Sequence, residues 1–365
     1  MSVNLFVIRS IHSKIPVIYI LMIEKISDNY SICYNEQIGS GYSARVYKGI
    51  YHDNISNITQ KQSPNPNPNP NPNLNSRETN KVVAIKKIDT FKVLLSVLEQ
   101  ELYIVNLLMA NPHENICKYY EIVRGSNCVF IVMEYCENNL TEILIKPLSE
   151  EFARNYFKQL VEAFKFLHKF NIIHRDLKPA NILLTNNRTK IKIIDFGLSK
   201  FDGSMTNTFC GSPYYMAPEV LSQVPYNSKI DIWALGAILY EMLSGNRTFG
   251  TLNSVSELVK MIEARNIAPI KQKMTKKCKD LIDRLLEIDV KKRIGWHELY
   301  NHTWFQDALE ISWEACHTAS HKIIDNFINL YPSLPVIHRI KVDKQKNTND
   351  LISDSIDTLQ FELEL

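Results

Sequence analysis

Apolar residues recur in a strand-like pattern in several stretches before Met133 and in a helical pattern after Ser149. Tyr30 to Lys48 and Lys81 to Asp89 carry alternating and β-branched residues, and Val129-Phe130-Ile131-Val132-Met133 is a run of the buried-strand type. Between them, Phe91 to Ala110 repeats Leu94, Leu95, Leu98, Leu102 and Val105 at spacings of three and four, which predicts a helix. Ser149-Glu150-Glu151-Phe152 reads as a helix start, with Ser as N-cap and acids in the first turn. Phe157, Leu160, Val161, Phe164 and Leu167 then give that helix a wide buried stripe. A strand-rich beginning and a helix-rich remainder predict an α+β, bilobal fold with a small β-rich lobe, a larger helical lobe and a cleft between them. Clefts between lobes are where cofactors bind.

The length of 365 residues suits such a two-lobed unit or two domains. A net charge of +3 points to no nucleic-acid partner and no membrane-surface partner. The seven cysteines contain no Cys-x-x-Cys pair, so free thiols in a reducing, intracellular and cytoplasmic setting are expected. Val3 to Ile23 is apolar-rich, but Arg9, His12, Lys14 and Pro16 interrupt it and Ile15 to Ile23 is too short to span a bilayer. No stable membrane insertion is expected. Residues 1–29 read as an N-terminal extension, with Met22 an alternative start and Tyr30-Ser31-Ile32 then the first strand. Within residues 51–80, Ser63 to Asn73 is an Asn-Pro repeat with nothing to build a core, a solvated loop insertion or a Pro-rich ligand segment. The domain is expected to run over 30–305, followed by a tail over 306–365 that is helical from Ala308 to Leu330 and poorly ordered from Lys341.

The chemistry concentrates in His174-Arg175-Asp176-Leu177-Lys178-Pro179-Ala180-Asn181 and Asp195-Phe196-Gly197. Asp176 can orient a hydroxyl and accept its proton. Asn181 and Asp195 are hard oxygen ligands suited to Mg²⁺. At these residues the chain resembles the eukaryotic protein-kinase family, Ser/Thr class, and the paired motifs are specific where either alone would not be. The resemblance covers about residues 30 to 305 and implies the protein-kinase fold, ATP and Mg²⁺ as cofactors, and a protein substrate.

Ile38-Gly39-Ser40-Gly41-Tyr42-Ser43-Ala44-Arg45-Val46 resembles the family's glycine-rich loop, with Ala44 where many members have a third Gly. Gly39 and Gly41 let backbone approach phosphate oxygens. Val83-Ala84-Ile85-Lys86 resembles the family's lysine strand, which implies that Lys86 holds the α- and β-phosphates. Lys87 is the alternative, but alternation puts Ala84 and Lys86 on one face. The resemblance also requires a helix Glu to hold Lys86. Glu101, one turn from Leu98 and Val105, is the candidate and Glu99 the runner-up. Met133-Glu134-Tyr135-Cys136 resembles the hinge, which implies adenine contacts from Glu134 and Cys136 backbone and a gatekeeper role for Met133. Val46, Ala84 and Leu183 would sandwich the ring.

By the same resemblance, Asp176 serves the acceptor hydroxyl and Lys178 neutralises the transferring phosphoryl group, a lysine typical of Ser/Thr kinases. His174 packs on Phe196 instead of acting as a base. Arg175 marks regulation through the activation segment, 195–219, by an upstream activating kinase, with Thr208 the acceptor and Ser204 and Thr206 as alternatives. Ser212 bonds Asp176 and Lys178, Asp231 braces the catalytic loop, and Arg293 pairs with Glu219. Phe209 to Glu219 and Val132 to Cys136 are similar to autophagy-initiating kinases. The competing reading is a pseudokinase scaffold that binds protein partners. It predicts a loss at Lys86, Asp176, Asn181 or Asp195, and all four are present.

Overall fold

The structure, a computed structural model, describes residues 3–9, 18–52, 81–202, 210–251, 253–306 and 338–340. In chain order the strands and helices are β1 (Val3–Arg9), β2 (Ile18–Lys25), β3 (Tyr30–Ser40), β4 (Ala44–Tyr51), β5 (Lys81–Asp89), α1 (Leu95–Ala110), β6 (Tyr119–Arg124), β7 (Cys128–Glu134) and β8 (Asn138–Asn139). There follow α2 (Glu150–Lys169), β9 (Ile172–Ile173), β10 (Ile182–Thr185), β11 (Lys190–Ile193), β12 (Lys200–Phe201), α3 (Pro218–Leu221), α4 (Lys229–Ser244), α5 (Val255–Glu263), α6 (Lys276–Leu285), α7 (Trp296–Tyr300) and β13 (His338–Ile340). The chain divides into two compact units, one holding β1 to β3, β4 from Arg45, β5 up to Ile85, and β13, the other holding Gly41–Ala44 and Lys86–Trp313.

The first unit is an antiparallel sheet. β1 pairs with β2 (Phe6 opposite Leu21), β2 with β3 (Glu24 opposite Ile32), β3 with β4 (Ile32 opposite Gly49), and β13 joins β1. Two strands thus precede Tyr30, and Tyr30-Ser31-Ile32, which a start at Met22 would make the first strand, opens the third. Both stretches are rich in Val and Ile, and Pro16, which cannot donate to a ladder, falls between them in sequence. Ile32, Val83, Ile85 and Tyr47 form the buried side of this unit. A Cβ at Gly49 would collide with the Ile85 side chain and come within 2.7 Å of the Ser31 carbonyl oxygen. Gly49→Ala is therefore expected to destabilise the chain by about 1–3 kcal/mol through overpacking. Thermal unfolding of the two proteins side by side checks this, and an unchanged midpoint would show that Ile85 yields freely.

In the second unit, β6 and β7 form a hairpin with Val123 opposite Phe130, and β8, β10 and β11 form a small sheet. α2 begins where expected: the Ser149 hydroxyl accepts from the Phe152 N–H at 3.4 Å, Glu150 and Glu151 lie in the first turn, and His168 and Lys169 in the last. Phe157, Leu160, Val161, Phe164 and Leu167 are all buried. α4 is buried nearly all round, as suits a helix that is apolar on every face.

α1 starts later than its sequence pattern suggests. Asp89 holds a turn instead, its side chain accepting from the Phe91 N–H and its carbonyl from the Lys92 N–H, both at 3.1 Å. Leu94 and Leu95 are consequently exposed, and the buried stripe is Leu98, Glu101, Ile104, Val105 and Leu108. A carboxylate thus sits within an otherwise apolar stripe. The expected helix from Ala308 to Leu330, the Asn-Pro repeat, and the segment with Ser204, Thr206 and Thr208 lie outside the described residues. Of the tail, the described piece is a strand, His338–Ile340.

Candidate active site

Of the candidate site residues, Ile38, Gly39, Val46 and Ala84 belong to the first unit, Thr208 lies outside the described residues, and the others belong to the second. In the first unit Gly39 lies opposite Val46 across the β3–β4 ladder, Ala84 is buried, and Ile38 is exposed. In the second, the Gly41 N–H closes a turn onto the Ala44 carbonyl at 2.8 Å.

Lys86, the first residue of β5 within the second unit, meets two carboxylates at once. Its Nζ is 2.6 Å from Glu101 Oε1 and 2.7 Å from Asp195 Oδ1. Glu101 reaches it because α1 places that residue in the buried stripe, whereas Glu99 is exposed. Burial alone would push the Lys86 ammonium down, but the Asp195 and Glu101 charges override it and hold it above its ordinary value. The charge of Lys86 in turn draws the Asp195 carboxyl down to about 2. Asp195 is also placed by its backbone, with φ 66°, a left-handed conformation that is uncommon outside glycine and concentrates at functional sites.

The loop from His174 to Asn181 is held from below. Asp231, buried on α4, accepts the backbone N–H groups of His174 (2.8 Å) and Arg175 (3.0 Å). Burial pushes the Asp231 carboxyl up, against the pull of His174. Arg175 itself has φ 68°. The His174 ring lies 5.2 Å from that of Phe196, and its nitrogens meet backbone groups: Nε2 the Ile194 carbonyl at 3.1 Å, Nδ1 the Asp176 N–H at 3.4 Å. Both are occupied by backbone groups, an arrangement of support and not of proton transfer to a ligand.

Asp176 gathers the remaining polar groups. Its Oδ2 accepts from Lys178 Nζ at 2.7 Å and from Asn181 Nδ2 at 3.2 Å, and its Oδ1 accepts from the Ser212 hydroxyl at 2.9 Å. Lys178 Nζ also donates to Ser212 Oγ at 2.9 Å. Ser212 comes this close because Gly211 precedes it. Gly211 has φ 106°, and a Cβ there would lie 2.6 Å from the Arg175 carbonyl oxygen.

The donor set fits Mg²⁺. The Asn181 amide nitrogen is spent on Asp176, donating to its backbone oxygen at 2.9 Å and to Oδ2, which leaves the amide oxygen as a ligand. Asp195 spends Oδ1 on Lys86 and leaves Oδ2. Among the described residues no group of three or more His, Cys, Asp or Glu could form an all-protein cage. Two oxygens match an ion that keeps water and substrate phosphates in its shell.

Around this core, Glu134 donates its N–H to the Lys118 carbonyl at 2.8 Å and holds Lys192 at 2.9 Å by its side chain. Met133 is buried opposite Tyr119. Burial, then the Glu134 charge, raises the Cys136 thiol to about 11, so it is no thiolate nucleophile. Leu183 lies on β10 opposite Asn139. Arg175 Nε donates to the Leu198 carbonyl at 2.6 Å and its NH1 to the Tyr226 hydroxyl at 3.3 Å. Arg293 and Glu219 form a two-point pair at 2.6 and 2.9 Å, both buried.

Sequence reading missed several supports. Asn115 accepts from the Ile193 N–H at 2.9 Å through its carbonyl and donates from its amide to the Ile191 carbonyl at 3.2 Å, fixing β11 just before Asp195. Gln100 donates to the Ser199 carbonyl at 2.8 Å, tying α1 to the segment after Gly197. The signal for Gln100 was its place beside Glu101. Nothing in the sequence pointed to Tyr226.

A family model described as "Protein kinase domain" matches residues 72–305. The chain belongs to the protein kinase domain family. The match begins downstream of Gly39 and Gly41 and takes in Lys86, Glu101, Asp176, Asn181 and Asp195. The chain is 36% identical over 283 residues to serine/threonine-protein kinase atg1 of Dictyostelium discoideum, covering 74% of this chain and 38% of that one. It is 34% identical over 295 residues to the SNF1-related protein kinase catalytic subunit alpha KIN12 of Arabidopsis thaliana, covering 78% and 54%. It is also 42% identical over 237 residues to testis-specific serine/threonine-protein kinase 1 of Mus musculus, covering 61% and 65%. This kinase domain thus spans from about two fifths to two thirds of the relatives named, and its similarity to an autophagy-type kinase is shared with other Ser/Thr kinases.

Proposed function

We propose that the chain transfers the γ-phosphoryl group of ATP to Ser and Thr hydroxyls of protein substrates, in the presence of Mg²⁺. The observation that carries this is the double pairing of Lys86 with Glu101 and Asp195, beside an Asp176 that is bonded to Lys178, Asn181 and Ser212 at once. ATP supplies the phosphoryl group and Mg²⁺ offsets its charge. Phosphoryl transfer asks little covalent chemistry of the protein and much positioning. Lys86 holds phosphate oxygens, with Glu101 fixing its direction. Asn181 and Asp195 offer oxygens to the metal. Asp176 receives the acceptor hydroxyl, and Lys178 stabilises charge on the group in transit. Gly39, Gly41, Val46, Ala84, Met133, Glu134, Cys136 and Leu183 are assigned to nucleotide contact by resemblance.

We further assign Thr208 as the phosphorylation site that controls activity, with Arg175 as its partner and an upstream kinase as the donor. The free thiols among the described residues favour a reducing, cytoplasmic setting. No helix among the described residues is long and apolar enough to cross a membrane.

Transfer of label from γ-labelled ATP to a generic protein substrate, followed by phosphoamino-acid analysis, tests the reading. Phosphoserine and phosphothreonine are expected, and phosphotyrosine alone would overturn the Ser/Thr assignment. A Thr208→Ala chain should keep nucleotide binding and lose turnover. Equal turnover to a fully phosphorylated parent would remove Thr208 from its role.

A further inference from the structure

The second unit carries a cleft of about 430 Å³ whose lining includes no residue of the His174–Asn181 loop or of Asp195-Phe196-Gly197. It lies where the end of α4, the segment after it, α5 and the stretch before α6 come together. Tyr240, Leu243, Phe249 and Met261 give it apolar walls, and Arg247 and Lys271 supply two cations. No Asp or Glu lines it among the described residues. The volume falls in the range of built ligand sites, roughly 300–1,000 Å³.

The walls are fixed by hydrogen bonds of their own. The Tyr240 hydroxyl donates to the Ala268 carbonyl at 2.7 Å. The Gln272 amide donates to the Leu148 and Leu243 carbonyls at 2.9 and 2.7 Å. Lys271 is exposed and pairs with no carboxylate among the described residues. Arg247 differs. Its guanidinium lies 4.1 Å from the ring centroid of Tyr214, and it also faces Glu241, which accepts from the Tyr215 hydroxyl at 2.7 Å. Tyr214 and Tyr215 follow Ser212-Pro213 directly, so Arg247 joins the wall of the cleft to the segment that sits on Asp176.

We propose that this cleft is a docking site for a short segment of the protein substrate, one that carries apolar side chains flanked by Asp or Glu. The apolar walls take the side chains, Lys271 and Arg247 take the carboxylates, and the acceptor Ser or Thr lies elsewhere in the same substrate. This rests on the reading of the chain as a protein kinase. Complementary charge favours that partner over basic or neutral ones. A docked segment also raises the effective concentration of the tethered acceptor, which lowers KM with little effect on chemistry.

The test uses the full chain and two peptides with one acceptor sequence. One peptide ends there, and the other continues through a Gly/Ser linker into a twelve-residue segment alternating Leu or Phe with Glu. The extension should lower KM by about tenfold or more at the same kcat. Lys271→Glu should erase the difference between the two peptides, and a segment with Lys in place of Glu should restore it. Fluorescence anisotropy of the labelled segment alone should show binding to the parent chain and weaker binding to Lys271→Glu. Equal KM values for the two peptides, or a gain that survives Lys271→Glu, would overturn the proposal. Phosphate transfer without segment binding overturns the docking site alone. Segment binding without transfer to either peptide overturns the kinase reading and with it the identity of the docked partner as substrate.

Discussion

Asp176→Asn should lower kcat by about 10²–10⁴ and leave KM for ATP within roughly a factor of three. The parent side chain accepts from three donors, Lys178, Asn181 and Ser212, and an ionised carboxylate is the one side chain that can do so and still accept from a substrate hydroxyl. An amide keeps the shape but exchanges one acceptor oxygen for a donor. If its NH₂ faces Oδ2's partners, it points at the Lys178 ammonium and the Asn181 amide. If it faces the Ser212 side, the Lys178 contact survives but no charge remains to take a proton. Either way the base is lost, while Lys86, Glu101 and Asp195 keep their mutual distances because none of them bonds the Asp176 side chain. Steady-state rates at saturating ATP, with ATP affinity measured separately, separate the two effects. A variant that turns over as fast as the parent would take Asp176 out of the chemistry, and one that fails to bind ATP would show that the loop had collapsed.

The polar cluster around Asp176 was legible in sequence because it is local. Asp176, Lys178 and Asn181 lie within one short loop, and a loop of that length can only bring its polar ends together or expose them. Glu101 was legible for a different reason: α1 has a regular period, and the period puts that carboxylate in line with Leu98 and Val105. The start of α1 was not legible, because Asp89 competes for the backbone with its own side chain and Leu94 and Leu95 continue an apolar pattern that nothing buries. The strands before Tyr30 were obscured by the interruptions at Arg9, His12 and Lys14. Those break up the apolar run yet do not exclude a ladder whose pairing is set by backbone groups. Long-range supports, such as Asn115 holding β11 or Tyr226 against Arg175, leave no trace in periodicity and need the fold to be seen.

Arg293→Met should destabilise the kinase domain by about 3–5 kcal/mol, a fall of roughly 10 °C in midpoint for a domain of this size. Arg293 is fully buried, stacked over Trp233 with 5.1 Å to the ring centroid, and bonded to both oxygens of Glu219. It also donates to the backbone carbonyls of Glu287 (2.9 Å), Lys229 (3.1 Å) and Ile288 (3.4 Å). Removing the guanidinium therefore strands a buried carboxylate and three acceptors together. Glu219→Gln is the milder change, expected at about 1–3 kcal/mol, because the arginine keeps its three carbonyls and an amide oxygen can still accept. The order of the two effects is the informative part, since a pair that mattered only through mutual attraction would lose the same from either side. The double variant, Glu219→Gln with Arg293→Met, should cost less than the sum of the singles, by about 1 kcal/mol or more, because the stranded charge is gone. Urea unfolding of all four proteins gives the cycle. Singles of equal cost, or strict additivity, would mean that Arg293 acts by filling space against Trp233 and not by satisfying the polar groups around it.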